Sequence, residues 1–262
     1  MKKIEFRNVG FEVTRRCNQI CEGFCMRGDA QNVDLSPQIV DKFFDAEDFE
    51  VKSVKTLLFG GGEPTLNHEI LIYILNKIMA KNIPVGTLRI VTNGKKINPI
   101  LMEKIEEYKN WRLANLRAQY KDRYYNYNLS RVVHIVFSTD EYHEDISPEV
   151  EEAYKAYGYL IPENTRGNIE AENVLPTGLA SKPNSRYSYE KRPIEYLPST
   201  VDGDEILMMN TFYFNAHGYI NTTPDGSYED MDDDNYGNLM QDKLTEVINY
   251  HGKNLLEKML TL

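Results

Sequence analysis

All three cysteines of this 262-residue chain fall within nine positions, Cys17-Asn18-Gln19-Ile20-Cys21-Glu22-Gly23-Phe24-Cys25. Three thiols on so short a loop cannot pair among themselves without leaving one over, and the spacing is too close for relaxed disulfide geometry. They can surround one inorganic group. Thiolates are the usual ligands of iron–sulfur clusters, and three of them around a four-iron cube leave one iron without a protein ligand, open to a substrate. Structural zinc is the alternative reading. It needs four ligands, normally two Cys or His pairs separated by a longer loop, and no His lies next to this triplet in the sequence. Three unrelated core thiols, the plainest reading of buried Cys, would have no reason to cluster.

Downstream, Leu57-Leu58-Phe59-Gly60-Gly61-Gly62-Glu63-Pro64-Thr65 reads as an apolar strand running into a glycine turn and a carboxylate. Glycines let backbone approach a ligand, and such a turn presents polar groups to an ammonium. The two motifs together, in this order and at this separation, resemble the radical S-adenosylmethionine (radical SAM) superfamily. The resemblance implies a [4Fe–4S] cluster on Cys17, Cys21 and Cys25, and a turn at Gly61, Gly62 and Glu63 that binds the amino group of SAM. It also implies reductive cleavage of SAM to methionine and a 5′-deoxyadenosyl radical that takes a hydrogen atom from the substrate, with an electron donor such as flavodoxin or ferredoxin. The commonest spacing in that family has two residues between the second and third cysteines, whereas this chain has three. The extra residue is Glu22 or Gly23. Phe24 still precedes Cys25, where relatives carry an aromatic near the adenine, so the loop reads as expanded by one residue.

These motifs need a scaffold that brings strand ends together, and the hydrophobic pattern supplies one. Strands are expected at Ile4 to Val13, Val54 to Phe59, Leu88 to Val91 and Val132 to Phe137, with further strands at Asn168 to Leu175 and Ile206 to Phe214. Helices are expected between them: one opened by Ser36-Pro37 with Ile39, Val40, Phe43 and Phe44 on its apolar face, one capped by Asn67 and running to Lys81, one from Pro99 to about Tyr124, and one opened by Ser147-Pro148. Repeated strand–helix units imply parallel strands with right-handed crossovers. The expected fold is α/β, a partial (β/α)6 TIM-like barrel with a short C-terminal cap, residues 1–205 forming the barrel core and 206–262 the last strand and cap.

In such a barrel the chemistry lies at the C-terminal ends of the strands. The cysteine loop, the Gly60 to Glu63 turn, Thr92-Asn93-Gly94 and Ser138-Thr139-Asp140 all stand at expected strand ends. The resemblance adds Asn93, Ser138 and Asp140 to the SAM-binding residues, and Ile169 and Leu175 as backbone contacts to adenine near Pro176-Thr177-Gly178-Leu179-Ala180. A turn at Asn93-Gly94 and a helix-capping loop at Ser138 to Asp140 are the plainer alternatives. His143 is a candidate general acid or base and equally a polar surface residue, while His134, inside a strand, reads as structural.

The segment from about Phe212 to Leu244 resembles the C-terminal SPASM/twitch-like region of peptide-modifying radical SAM enzymes, without its cluster-binding cysteines. That resemblance implies a peptide or protein substrate and a reduced cap with no auxiliary cluster. Radical chemistry on a small metabolite or nucleotide is the alternative, and a noncatalytic metal-binding module a second one. The acidic run Glu229 to Asp234 lacks the glycine and final Glu of a calcium loop and reads as solvated. A net charge of −10 argues against broad nucleic-acid binding. The Arg- and Tyr-rich stretch from Arg112 to Arg131 is either a local basic patch or, more simply, a solvated helix face and connector. No apolar run approaches membrane length, and Met1-Lys2-Lys3 leads into a mixed strand with no signal-peptide pattern. A reducing, cytoplasmic setting with no membrane partner is therefore expected.

Overall fold

The computed structural model describes residues 1–19, 21, 25–120, 132–138, 143–156, 191–198 and 204–256. Four strands pair in parallel in chain order: β1 (Lys2–Thr14), β2 (Phe49–Gly61), β3 (Val85–Thr92) and β4 (Val133–Phe137). After each comes a helix, namely α1 (Pro37–Phe44), α2 (His68–Ala80), α3 (Pro99–Tyr120) and α4 (Pro148–Ala156). The alternation expected from the sequence is present as far as α4. The strand expected at Asn168 to Leu175 lies outside the described residues.

Local chemistry explains the helix starts. Ser36 accepts a hydrogen bond from the Ile39 N–H, and Pro37 occupies the first turn of α1 with its fixed φ. Asn67 does not do what the sequence suggested: it precedes α2, but its side-chain amide donates to the Val13 carbonyl at 2.9 Å, tying that helix start to the end of β1. Arg112 of α3 is likewise not on a solvated face. It is 8% exposed, and its Nε donates to the Val85 carbonyl at 2.6 Å.

The remaining elements are β5 (Ile194–Pro198), β6 (Glu205–Phe214), β7 (Ile220–Asn221), α5 (Tyr228–Asp233), α6 (Leu244–His251) and β8 (Gly252–Asn254). The strand read as the sixth barrel unit is β6, and it does not stand beyond β4. It pairs in parallel with β1 on the edge away from β2, Lys3 opposite Glu205 and Phe11 opposite Phe214. From there β5 and β7 join β6 antiparallel and β8 joins β5 in parallel, so among the described residues the sheet runs β4-β3-β2-β1-β6-β5-β8 and does not close. Side-chain fit accounts for this placement. A Cβ on Gly10 of β1 would come within 2.4 Å of the Tyr213 ring, so only glycine admits β6 at that register. The acidic run also departs from expectation, since most of it is helix α5, capped by a reciprocal Ser227–Asp230 box with Met231 fully buried.

Phenylalanines join the layers on the helix-covered face. The Phe43 ring of α1 lies 4.9–6.0 Å between centroids from Phe6, Phe11, Phe44, Phe49 and Phe214, so one side chain touches α1, β1, the start of β2 and β6. No described helix is long and apolar enough to cross a membrane. Phe43→Ala should lower unfolding free energy by about 3–5 kcal/mol. In a urea titration this appears as a lower midpoint with an unchanged slope.

Candidate functional site

At the C-terminal end of β1 the chain leaves the sheet at Thr14 and enters the cysteine loop, and at the end of β2 it turns at Gly61-Gly62-Glu63. The two ends are joined by backbone. Gly62 N–H donates to the Thr14 carbonyl and Glu63 N–H to the Arg16 carbonyl, each at 2.8 Å. Glycine is required for the approach: a Cβ on Gly61 would stand 2.2 Å from Thr14 O, and one on Gly62 would stand 2.3 Å from Arg16 O. Gly61 also has φ +127°, which side-chain-bearing residues avoid. The glycines thus serve first to seat the turn against the root of the cysteine loop.

Glu63 fixes the third strand end to these two. It is 1% exposed. Its Oε1 accepts from Thr65 N–H at 3.0 Å, Thr65 Oγ1 at 2.5 Å and Thr92 Oγ1 at 2.8 Å, and its Oε2 accepts from Asn93 N–H at 2.7 Å. Burial pushes its carboxyl above the usual carboxylate range, and the bonds from Thr65, Asn93 and Thr92 oppose that shift.

Asn93 completes the junction. Its amide donates to Asn18 Oδ1 at 2.9 Å and lies 3.8 Å from Cys17 Sγ, while its Oδ1 accepts from Lys95 N–H. Ser138 continues β4 by donating its N–H to the Thr92 carbonyl at 2.9 Å, so the same rim includes the fourth strand end. The expected site residues Cys17, Gly61, Gly62, Glu63, Asn93 and Ser138 therefore stand on one contiguous edge. Phe24, Asp140, Ile169 and Leu175 lie outside the described residues.

Sequence reasoning paired no side chain with Cys21, yet His143 Nε2 lies 3.9 Å from Cys21 Sγ. Burial pushes the Cys17 thiol up, with the nearby charges of Glu63 and Cys25 acting in the same direction. A neighbouring cation or metal centre is what such a thiol needs in order to ionise. Even with His143 beside Cys21, no three His, Cys, Asp or Glu side chains among the described residues gather as one metal ion would require. Zinc would draw its thiolates to roughly 3.8 Å of one another, from Zn–S bonds of about 2.3 Å. Three free thiols on one short loop are the donor set that a four-iron cube takes, one thiolate per iron.

Missed altogether in the sequence were Glu12 and Arg15, both buried and hydrogen-bonded to each other at the root of the loop. Their signal was a pair of charged residues, three apart, flanking the apolar end of a mixed strand.

Glu63→Ala should cost about 3 kcal/mol of stability, because buried donors left without an acceptor cost about 1–3 kcal/mol each. Thermal unfolding of the metal-free variant measures this directly.

Residues 11–119 match the family model "Radical SAM superfamily". No curated protein matches the sequence. Among solved structures, native anSMEcpe with bound AdoMet and Kp18Cys peptide is similar at a TM-score of 0.56 and 12% identity, over 93% of this chain and 80% of that one. The Cp18Cys peptide complex gives 0.53 and 12% over 94% and 80%, and hexahistidine-tagged anSMEcpe with bound AdoMet gives 0.55 and 12% over 94% and 77%. These likenesses are of fold.

Proposed function

We propose, proceeding from a radical SAM domain over residues 11–119, that this enzyme binds SAM at the shared edge of its first four strands and uses it to modify a residue of a peptide or protein. The single observation that carries the reading is the junction at Glu63 and Asn93, which locks the cysteine loop, the glycine turn and the end of β3 into one unit. A [4Fe–4S] cluster on Cys17, Cys21 and Cys25, fed by a flavodoxin or ferredoxin, would supply the electron that cleaves SAM to methionine and a 5′-deoxyadenosyl radical.

The chain's own residues do the positioning. Gly61 and Gly62 hold the turn against the loop root, the N–H groups of Gly62 and Glu63 being spent on that contact, so the carbonyls of this short stretch are the acceptors assigned to the amino group of SAM. Asn93 sets Asn18 and Cys17 relative to the turn, and Ser138, with Asp140, Phe24, Ile169 and Leu175, is assigned to the remaining SAM contacts. Glu63 is aimed at protein donors. Its contribution to SAM binding in this reading is therefore to hold Asn93 and the turn in place, with the backbone of Gly61 and Gly62 meeting the ligand. Residues 206–262 supply the last strand and the cap. The peptide reading is supported by likeness of fold to a protein whose structures hold peptides and by the resemblance of the C-terminal segment. A reducing cytoplasm suits the three free thiols.

Anaerobic reconstitution with iron and sulfide should give about four irons per chain and 5′-deoxyadenosine from SAM under a strong reductant, and Cys21→Ala should lose both. Tightly bound zinc with no SAM cleavage would overturn the reading. Stabilisation by nucleotides alone, with none by peptides, would move the substrate to the nucleotide class.

A further inference from the structure

The cysteine loop has two stems, and the C-terminal segment grips both. Arg15 lies two residues before Cys17, and Arg27 lies two residues after Cys25. On the incoming stem Arg15 is 1% exposed. Its Nη1 and Nη2 donate to Asp232 Oδ2 and Oδ1 at 2.7 and 2.5 Å, its Nε donates to Glu12 Oε2 at 2.8 Å, and its Nη1 also reaches Gln31 Oε1 at 3.1 Å. The guanidinium lies over the Tyr228 ring, 4.7 Å from its centroid. On the outgoing stem, Tyr228 N–H donates to the Arg27 carbonyl at 2.9 Å, and Arg27 Nη1 donates to the Gly226 carbonyl at 3.0 Å and lies 3.4 Å from Met231 Sδ.

The gripping segment is itself fixed. Asn215, following β6, donates to Asp232 Oδ1 at 2.7 Å, and Ala216 N–H donates to Glu12 Oε2 at 3.0 Å. In this forked ion pair the arginine is buried and the Asp232 side chain is 28% exposed; desolvation of the arginine offsets much of the attraction, but the two parallel bonds fix one geometry. The ion pair on the incoming stem and the backbone-mediated hold on the outgoing stem lie two residues outside the first and last cysteines and meet at one short helix and its start, residues 226–232, so together they define the separation of the stems.

We infer that Arg15, Arg27 and Asp232 are positioning residues through which the C-terminal segment sets the separation of the cysteine-loop stems and so the presentation of Cys17 and Cys25 to the cluster. This rests on the cluster reading above. A cap that has no cysteines of its own acts on the site by holding its ligands in place. Occupancy of the cap by a substrate would then be felt at the cysteines through Asp232.

The test uses the full chain and Asp232→Asn, which keeps the shape and removes the charge. In the metal-free protein, hydrogen exchange of residues 14–35 should quicken at least tenfold while α2 stays unchanged. After reconstitution, loss of iron to a ferrous chelator should quicken by a similar factor, and the electron paramagnetic resonance of the reduced cluster should split into several species. Asp232→Glu should restore part of each. Unchanged exchange and unchanged iron release would overturn the inference. If Asp232→Asn loosens the whole fold, the triple variant Glu12→Gln, Arg15→Met, Asp232→Leu decides, since it leaves no buried charge without a partner: a loose loop on a stable fold supports the inference, and a wild-type loop overturns it. Wild-type protein that takes up no iron, with a loop that still responds to Asp232→Asn, would sink the cluster reading and leave the clamp standing.

Discussion

The structure depends on a close backbone approach between two strand ends. Gly61 and Gly62 lie so near Thr14 and Arg16 that a methyl group on either would overlap a carbonyl oxygen. That approach lets two peptide N–H groups of the β2 turn hydrogen-bond to the root of the cysteine loop. It brings Glu63 under the turn, where a buried carboxylate finds donors from Thr65, Thr92 and Asn93. Burying a carboxylate without such donors would be prohibitive. The three strand ends therefore cannot shift independently, and a site assembled across them is preorganised before any ligand arrives.

Much of this was legible in the sequence because the signals are local. Three cysteines in nine residues, a strand ending in Gly-Gly-Gly-Glu and Pro-opened helices at regular intervals need only short-range chemistry to be read. What escaped depends on contacts between distant residues. Arg15 and Asp232 are 217 positions apart, and nothing in the acidic run distinguishes Asp232, which reaches Arg15, or Asp230, which closes the cap box, from exposed neighbours such as Glu229 and Asp233. The position of β6 beside β1 hangs on Tyr213 filling the space left by Gly10, a fit between side chains that periodicity cannot see. Asn67 and Arg112 were misread for a related reason: each has a local role available, capping for one and solvation for the other, and each is taken by a backbone carbonyl of another element.

The C-terminal segment illustrates how a short element is held by the loop that it contacts. Its helix α5 is six residues long, too short to be stable alone. It is held by the Ser227–Asp230 box, by burial of Tyr228 and Met231, and by the arginines of the cysteine loop. Cap and loop thus order each other, and neither the acidic helix nor the buried arginine is explicable without the other.

The central claim is that SAM meets the cysteine loop and the glycine turn at one place, and it is tested most directly by electron–nuclear double resonance of the reduced, reconstituted protein with SAM labelled at the amino nitrogen and carboxylate oxygen. Both nuclei should show hyperfine coupling to the cluster spin. A reduced cluster that shows coupling to neither label in the presence of saturating SAM would contradict the account.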